Sequence, residues 1–121
     1  MGAAHHKLSN LICLVDINNQ QADGRPSEVM GFEPLVDKWE AFGWHVQRVD
    51  GNDLAAVVKA FDTARTLTEA KPRVILCDTL MGKGVRFLEE RDKNHFIRVD
   101  PPEWQQAIQY LDNSQTQGDA P

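Results

Sequence analysis

This 121-residue chain has no apolar run that could span a bilayer: the longest strongly apolar stretch, Leu11 to Val15, falls far short of the ~20 residues a spanning helix requires. No basic segment followed by an apolar one opens it, so a secretory signal is not expected. The Met1-Gly2 start lacks the Ser or Thr that myristoylation wants, because His6 stands there. Cysteine is scarce. Cys13 and Cys77 each sit inside an apolar, strand-like run, which favours two buried thiols in a reducing compartment, and hence the cytoplasm, over a disulfide. No block of Lys and Arg occurs, and a net charge of −5 excludes a general nucleic-acid binder. There is no internal repeat, no Gly-x-Gly-x-x-Gly, no His and Cys set at metal-ligand spacing, and no nucleophile–base pair. What remains is a hydrophobic content of 41%, enough for one modest core and against disorder throughout.

The patterning of that core is α/β. Gly2 to Leu8 reads as the last turns of a helix, broken by Ser9-Asn10. Leu11 to Ile17, apolar on both faces, reads as a central strand of a parallel sheet. Asn18 to Pro26 is loop, marked by Asp23-Gly24 and Pro26. A helix is expected from Glu33 to Phe42, with Pro34 in its first turn, Leu35, Trp39 and Phe42 on one face, and Gly43 as its C-terminal cap. A second strand follows from Trp44 to Val49. Asp53 then caps a helix whose stripe is Leu54, Val57, Phe61 and Ala64. Lys71-Pro72 closes that helix before a third strand, Arg73 to Thr79. Strand alternating with helix is the pattern of βαβ units and a parallel sheet. Leu80 to Val99 shows no period. Asp100 and Pro101 open a last helix with Trp104, Ala107, Ile108 and Leu111 on one face. The expected organisation is a partial parallel sheet of about three strands with flanking helices over residues 1–112, followed by a disordered tail at 113–121.

The chemistry lies where strands end. Val15-Asp16-Ile17-Asn18-Asn19-Gln20-Gln21-Ala22-Asp23-Gly24 places amides and carboxylates beyond the carboxyl end of the first strand, the position where parallel sheets bind ligands. Such oxygens suit a hard cation and the phosphates it carries, although a loop of amides satisfying its own backbone would have the same composition. Met81-Gly82-Lys83-Gly84 follows the third strand, and two glycines around a lysine permit close approach to a phosphate as well as a plain turn. His95 lies in the long loop. His45 alternates with apolar neighbours and reads as structural.

Taken together, these segments resemble the N-terminal thiamine-diphosphate-binding domain of transketolases, in its C-terminal portion. The resemblance rests on His6-Lys7-Leu8-Ser9-Asn10-Leu11, Val15-Asp16-Ile17-Asn18, Gln21-Ala22-Asp23-Gly24, Phe42-Gly43-Trp44-His45-Val46, Val49-Asp50-Gly51-Asn52-Asp53, Lys71-Pro72 and Gly82-Lys83-Gly84-Val85, in the family's order. It implies transfer of a two-carbon ketol unit between sugar phosphates via thiamine diphosphate, as in the pentose phosphate pathway. It implies magnesium, or another divalent cation such as calcium, with Asn18 a ligand through its side-chain oxygen and Gln20 through its carbonyl. Met81 falls where relatives place a Lys or an Ile near the cofactor. His95 resembles the family's histidine beside the diphosphate and the substrate, although Phe96 stands where Gly is usual.

The family's motif opens with Gly-Asp-Gly some thirty residues before its closing Asn, and only fourteen residues precede Val15. The aspartate ligand is therefore not expected in this chain, nor is the family's catalytic glutamate, which belongs to a separate domain. Asp16 points from a different place and is a poor substitute. The resemblance thus implies partners: the remaining transketolase domains or a subunit, sugar-phosphate substrates, and a dimer in the complete enzyme. The chain alone is expected to be inactive. Two alternatives stand beside this reading, a non-catalytic remnant or interaction module of the same fold, and a fragment of a homodimeric pyruvate dehydrogenase component.

Overall fold

The computed structural model describes residues 1–91, 94–95 and 98–118. They divide into two compact units, Met1–Asn18 with Met30–Thr79, and Asn19–Val29 with Leu80–Pro121.

The first unit contains α1 (Gly2–His5), β1 (Ile12–Ile17), α2 (Leu35–Ala41), β2 (His45–Asp50), α3 (Leu54–Thr66) and β3 (Arg73–Asp78). The strands form a parallel sheet in the order β1-β3-β2. They run in step, since Ile12 and His45 both pair with Arg73, and Ile17 and Asp50 both pair with Asp78. The central strand is therefore β3 rather than the first strand. The reason is visible in the side chains: Val74, Ile75 and Leu76 are wholly buried, whereas β1 leaves Leu14 and Asp16 exposed. An unbroken apolar run is needed where both sheet faces and both edges are covered.

Alternation along β3 feeds two layers. Val74 and Leu76 pack with Ile17 and, from the α2 side, with Leu35, Val36 and Trp39. Ile75 and Cys77 pack with Ala60 and Ala64 of α3 and with Phe61. Each of the three wholly buried side chains contributes about 1.5–3 kcal/mol by leaving water. The α3 stripe is shifted from expectation, because Ala60 joins Ala64 on the packed face while Leu54 is 77% exposed. Small residues let the helix lie close to the sheet.

The ends of both helices follow from local chemistry. Asp53 caps α3 by accepting from the backbone N–H groups of Ala55 (2.9 Å) and Ala56 (3.2 Å). Pro34 lies just outside α2 as its N-cap, not in the first turn, and the Glu33 carboxylate accepts the Leu35 N–H at 2.7 Å. At the other end Gly43 adopts φ +83° and donates to Glu40 O (2.8 Å), while Trp44 N donates to Trp39 O (3.2 Å). That pair is a Schellman closure, completed by the edge-on contact of the Trp39 and Trp44 rings at 4.8 Å. Phe42 is half exposed and takes no part in the packed face.

The second unit holds the loop Asn19–Val29, α4 (Arg86–Glu89) and α5 (Pro101–Gly118). Thus the stretch without period contains one helical turn. Glu103 donates nothing but accepts twice: its carboxylate takes the N–H of Asp100 (3.2 Å), as in a capping box, and the guanidinium of Arg91 (2.5 Å). Of the expected α5 face only Ala107 is buried, and Trp104, Ile108 and Leu111 are exposed. The segment from Asn113 expected as tail is helical as far as Gly118, its Gln residues being good helix formers. Residues 119–121, together with Phe96, lie outside the described residues.

Candidate functional site

β1 delivers Asp16 and Asn18 to the carboxyl end of the sheet in the first unit. Asp16 lies on β1 opposite Cys77 of β3. Its carboxylate accepts the hydroxyl of Thr79, the residue after β3, and at 3.4 Å the amide nitrogen of Asn18. The nitrogen end of the Asn18 amide is thus turned to Asp16, and its oxygen is the end turned away. The ladder continues one step beyond the strands, since Thr79 N donates to Ile17 O at 3.1 Å.

Beside this cluster lies a charge network that sequence reading missed. Arg48 donates through Nε and Nη2 to the two oxygens of Asp78, both at 2.8 Å, and reaches Glu33 at 2.9 Å. Hydrogen bonding to Arg48 holds both the Asp78 and the Glu33 carboxyls below the ordinary carboxylate range, and the same bonds push the Arg48 guanidinium up. Cys77 behaves oppositely. Burial, and then the neighbouring charges of Asp16 and Asp78, raise its thiol, so it is a packing residue and not a nucleophile. Cys13 is also a free thiol.

In the second unit Asn19 takes a left-handed φ of +55°, a conformation its short polar side chain tolerates. Gln20 follows, and its side chain has a task the sequence did not reveal. Its Oε1 accepts the backbone N–H of Asn94 at 2.9 Å, and its Nε2 donates to Arg91 O at 3.4 Å. Asn94 is buried and donates onward to Leu88 O. Gln20 therefore fixes the residue that precedes His95, whose own side chain is exposed.

Met81 is half-buried and opens the turn of Gly82, Lys83 and Gly84. Both glycines are required there. Gly82 has φ +76°, and a Cβ on it would lie 2.6 Å from Leu88 Cβ; Gly84 has φ +94°. The donors of this turn already have an acceptor within the second unit. The Gly84 N–H donates to Glu89 Oε1 at 2.8 Å, and the Lys83 ammonium lies 3.8 Å from the same oxygen. Glu89 thus supplies the turn with a carboxylate of its own.

The donor chemistry bears on the implied cation. Asn18 in the first unit and the carbonyl of Gln20 in the second each offer a neutral hard oxygen, the donor type that magnesium and calcium take. Among the described residues no group of three or more His, Cys, Asp or Glu could hold a metal ion. No described helix is long and apolar enough to cross a membrane.

Residues 2–112 match the family model "Transketolase, thiamine diphosphate binding domain". The chain is 57% identical over 112 residues to a transketolase family protein of Sinorhizobium fredii, covering 93% of this chain and 40% of that protein. It is 38% identical over 112 residues to a 6-deoxy-6-sulfo-D-fructose transketolase subunit of a Clostridium species, with the same coverage of 93% and 40%. The chain thus spans about two-fifths of the length of these relatives. Among solved structures, transketolase from Campylobacter jejuni superposes with a TM-score of 0.63 at 21% identity, over 95% of this chain and 22% of that one, which shows the fold.

Proposed function

The chain belongs to the transketolase family, within its thiamine-diphosphate-binding domain, and from that premise we propose that it is part of a transketolase that moves a two-carbon ketol unit between sugar phosphates. The observation that carries this reading is the family match running across residues 2–112. The rest of the enzyme comes from further transketolase domains or a partner subunit, and the complete enzyme is a dimer. That one relative is itself named as a subunit supports a divided enzyme. Two free thiols accord with the cytoplasm.

Thiamine diphosphate supplies the carbanion chemistry when bound. The residues of this chain hold and orient it. Asn18, through its amide oxygen, and Gln20, through its carbonyl, hold magnesium or calcium, and Asp16 keeps the Asn18 amide turned the right way round. Met81 lies against the cofactor. His95 is the catalytic residue of this proposal, placed at the diphosphate and the substrate. The cation takes its remaining oxygens from the diphosphate and from a carboxylate elsewhere in the assembly.

Two measurements test this. Calorimetry of the 121-residue chain with thiamine diphosphate and magnesium is expected to show weak binding or none, and tight binding would overturn the divided-site reading. Mixing the chain with a polypeptide carrying the remaining transketolase domains, cofactor and magnesium is expected to give ketol transfer between sugar phosphates. That activity should fall with Asn18→Ala and with His95→Ala. No transfer from a folded, associated mixture would refute the functional assignment.

A further inference from the structure

The segment that leads to His95 is held at two points within the second unit. At the first, Arg91 donates through Nη2 to Glu103 Oε1 of α5 at 2.5 Å, with its guanidinium 5.8 Å from the centre of the Phe87 ring. At the second, Asn94 is buried and its side-chain nitrogen donates to Leu88 O in α4. Leu88 is seated closely on the turn after Met81, since a Cβ on Gly82 would lie 2.6 Å from Leu88 Cβ. His95 is exposed, so burial does not hold it in place.

Gln20 bridges these two points. Its Nε2 donates to Arg91 O at 3.4 Å, and its Oε1 accepts the Asn94 N–H at 2.9 Å. A side-chain amide carries a donor and an acceptor side by side, which suits a main-chain carbonyl at one end of a short span and an N–H at the other. The two partners also decide which end of the amide is oxygen. The main-chain carbonyl of the same residue is the oxygen offered to the cation in the proposed site. One residue thus touches both the cation and the segment that presents the histidine.

We propose that Gln20 is a positioning residue for His95: its side-chain amide clasps Arg91 O and the Asn94 N–H, and so sets where the histidine stands relative to the cation. This role rests on the transketolase reading of His95 and of the Gln20 carbonyl, and adds to it a task for the Gln20 side chain. Groups that hold a reacting residue act through geometry, and a small misplacement lowers the rate of the step it serves.

The test uses the chain assembled with a polypeptide carrying the remaining transketolase domains, at saturating thiamine diphosphate and magnesium. Gln20→Met keeps the length and the main-chain carbonyl, and should lower kcat by about tenfold, as loss of one net hydrogen bond does. Gln20→Asn, whose amide is one methylene short, should do the same. Gln20→Glu keeps the acceptor for the Asn94 N–H at full reach and should recover most of the activity. A second readout needs no cofactor. In the ¹⁵N-labelled 121-residue chain, Gln20→Met should lower the heteronuclear NOE of the Asn94 and His95 amides while that of β3 stays unchanged, and Gln20→Glu should restore it. A parent assembly that transfers no ketol unit overturns the reading of the site itself. An active parent with Gln20→Met equally active, with Gln20→Glu no better than Gln20→Met, or with an unaltered NOE at His95 overturns the positioning role alone.

Discussion

Gly51 is the residue whose replacement best tests the packing at the carboxyl end of the sheet. It follows β2 and donates its N–H to Asp78 O at 2.7 Å. A Cβ added there would lie 2.6 Å from Thr79 Cγ2 and 2.8 Å from Cys77 Cβ. Carbon atoms in contact prefer about 3.5–4.0 Å, so the new methyl sits about 1 Å too close to each. Neither neighbour can easily yield. The Thr79 hydroxyl is held by Asp16, and Cys77 belongs to the buried central strand. Overpacking of this kind costs about 1–3 kcal/mol, against a gain of about 0.4–1 kcal/mol from the stiffer unfolded chain, leaving Gly51→Ala destabilised by about 0–2.6 kcal/mol, about 1.3 kcal/mol at the midpoints. Urea denaturation of the chain measures this. Thr79→Ser removes the closer methyl and keeps the hydroxyl for Asp16, so it should cost less in the Gly51→Ala background than alone. A Gly51→Ala chain more stable than the parent, or a double variant with no such relief, would refute the reasoning.

Asp53→Ala should lower stability by about 1 kcal/mol, since two N–H groups of the first turn of α3 lose their acceptor; the urea midpoint reports it. Gln20→Leu should speed hydrogen exchange at the Asn94 amide by about tenfold, the equivalent of one net hydrogen bond near 1.4 kcal/mol. Unchanged exchange would show that Gln20 does not secure the segment before His95. For Asp78 and Glu33, hydrogen bonding to Arg48 places the folded-state pKa below the unfolded one. Their stabilisation is therefore present above the unfolded carboxylate range near 4 and is lost as pH falls through the folded values. Stability measured from pH 6 to pH 2 should fall less steeply in Arg48→Met than in the parent.

The elements were legible in the sequence because their signals are local. Asp53 announced a cap, Gly43 a helix end, and Val74 to Cys77 a buried strand, and each needs only a few neighbouring residues to act. What escaped reading depends on residues far apart in the chain. Apolarity on both faces of Leu11 to Ile17 says nothing about which strands flank it, so β1 was expected at the centre of a sheet whose middle strand is β3. Leu54 and Trp104 fit an apolar stripe as well as Ala60 and Ala107 do, yet helices settle where the side chains allow close approach, and the alanines are buried. The partners of Asp16 and Gln20 lie 63 and 74 residues away along the chain. No spacing rule reaches that far.

The polar groups of the two units that bear on the cofactor reading share one property. They are already paired with one another. Thr79 and Asn18 donate to Asp16, Arg48 holds Asp78, and Glu89 occupies the Gly84 N–H with Lys83 nearby. A diphosphate approaching Lys83 and Gly84 must displace a carboxylate of its own sign, and exchange of one charge-assisted bond for another leaves little net gain. On the proposed function, weak binding by the chain alone is the outcome that these contacts lead us to expect. On that reading, a partner that moves Glu89 away or adds positive charge would strengthen binding, and cofactor capture would then be coupled to assembly.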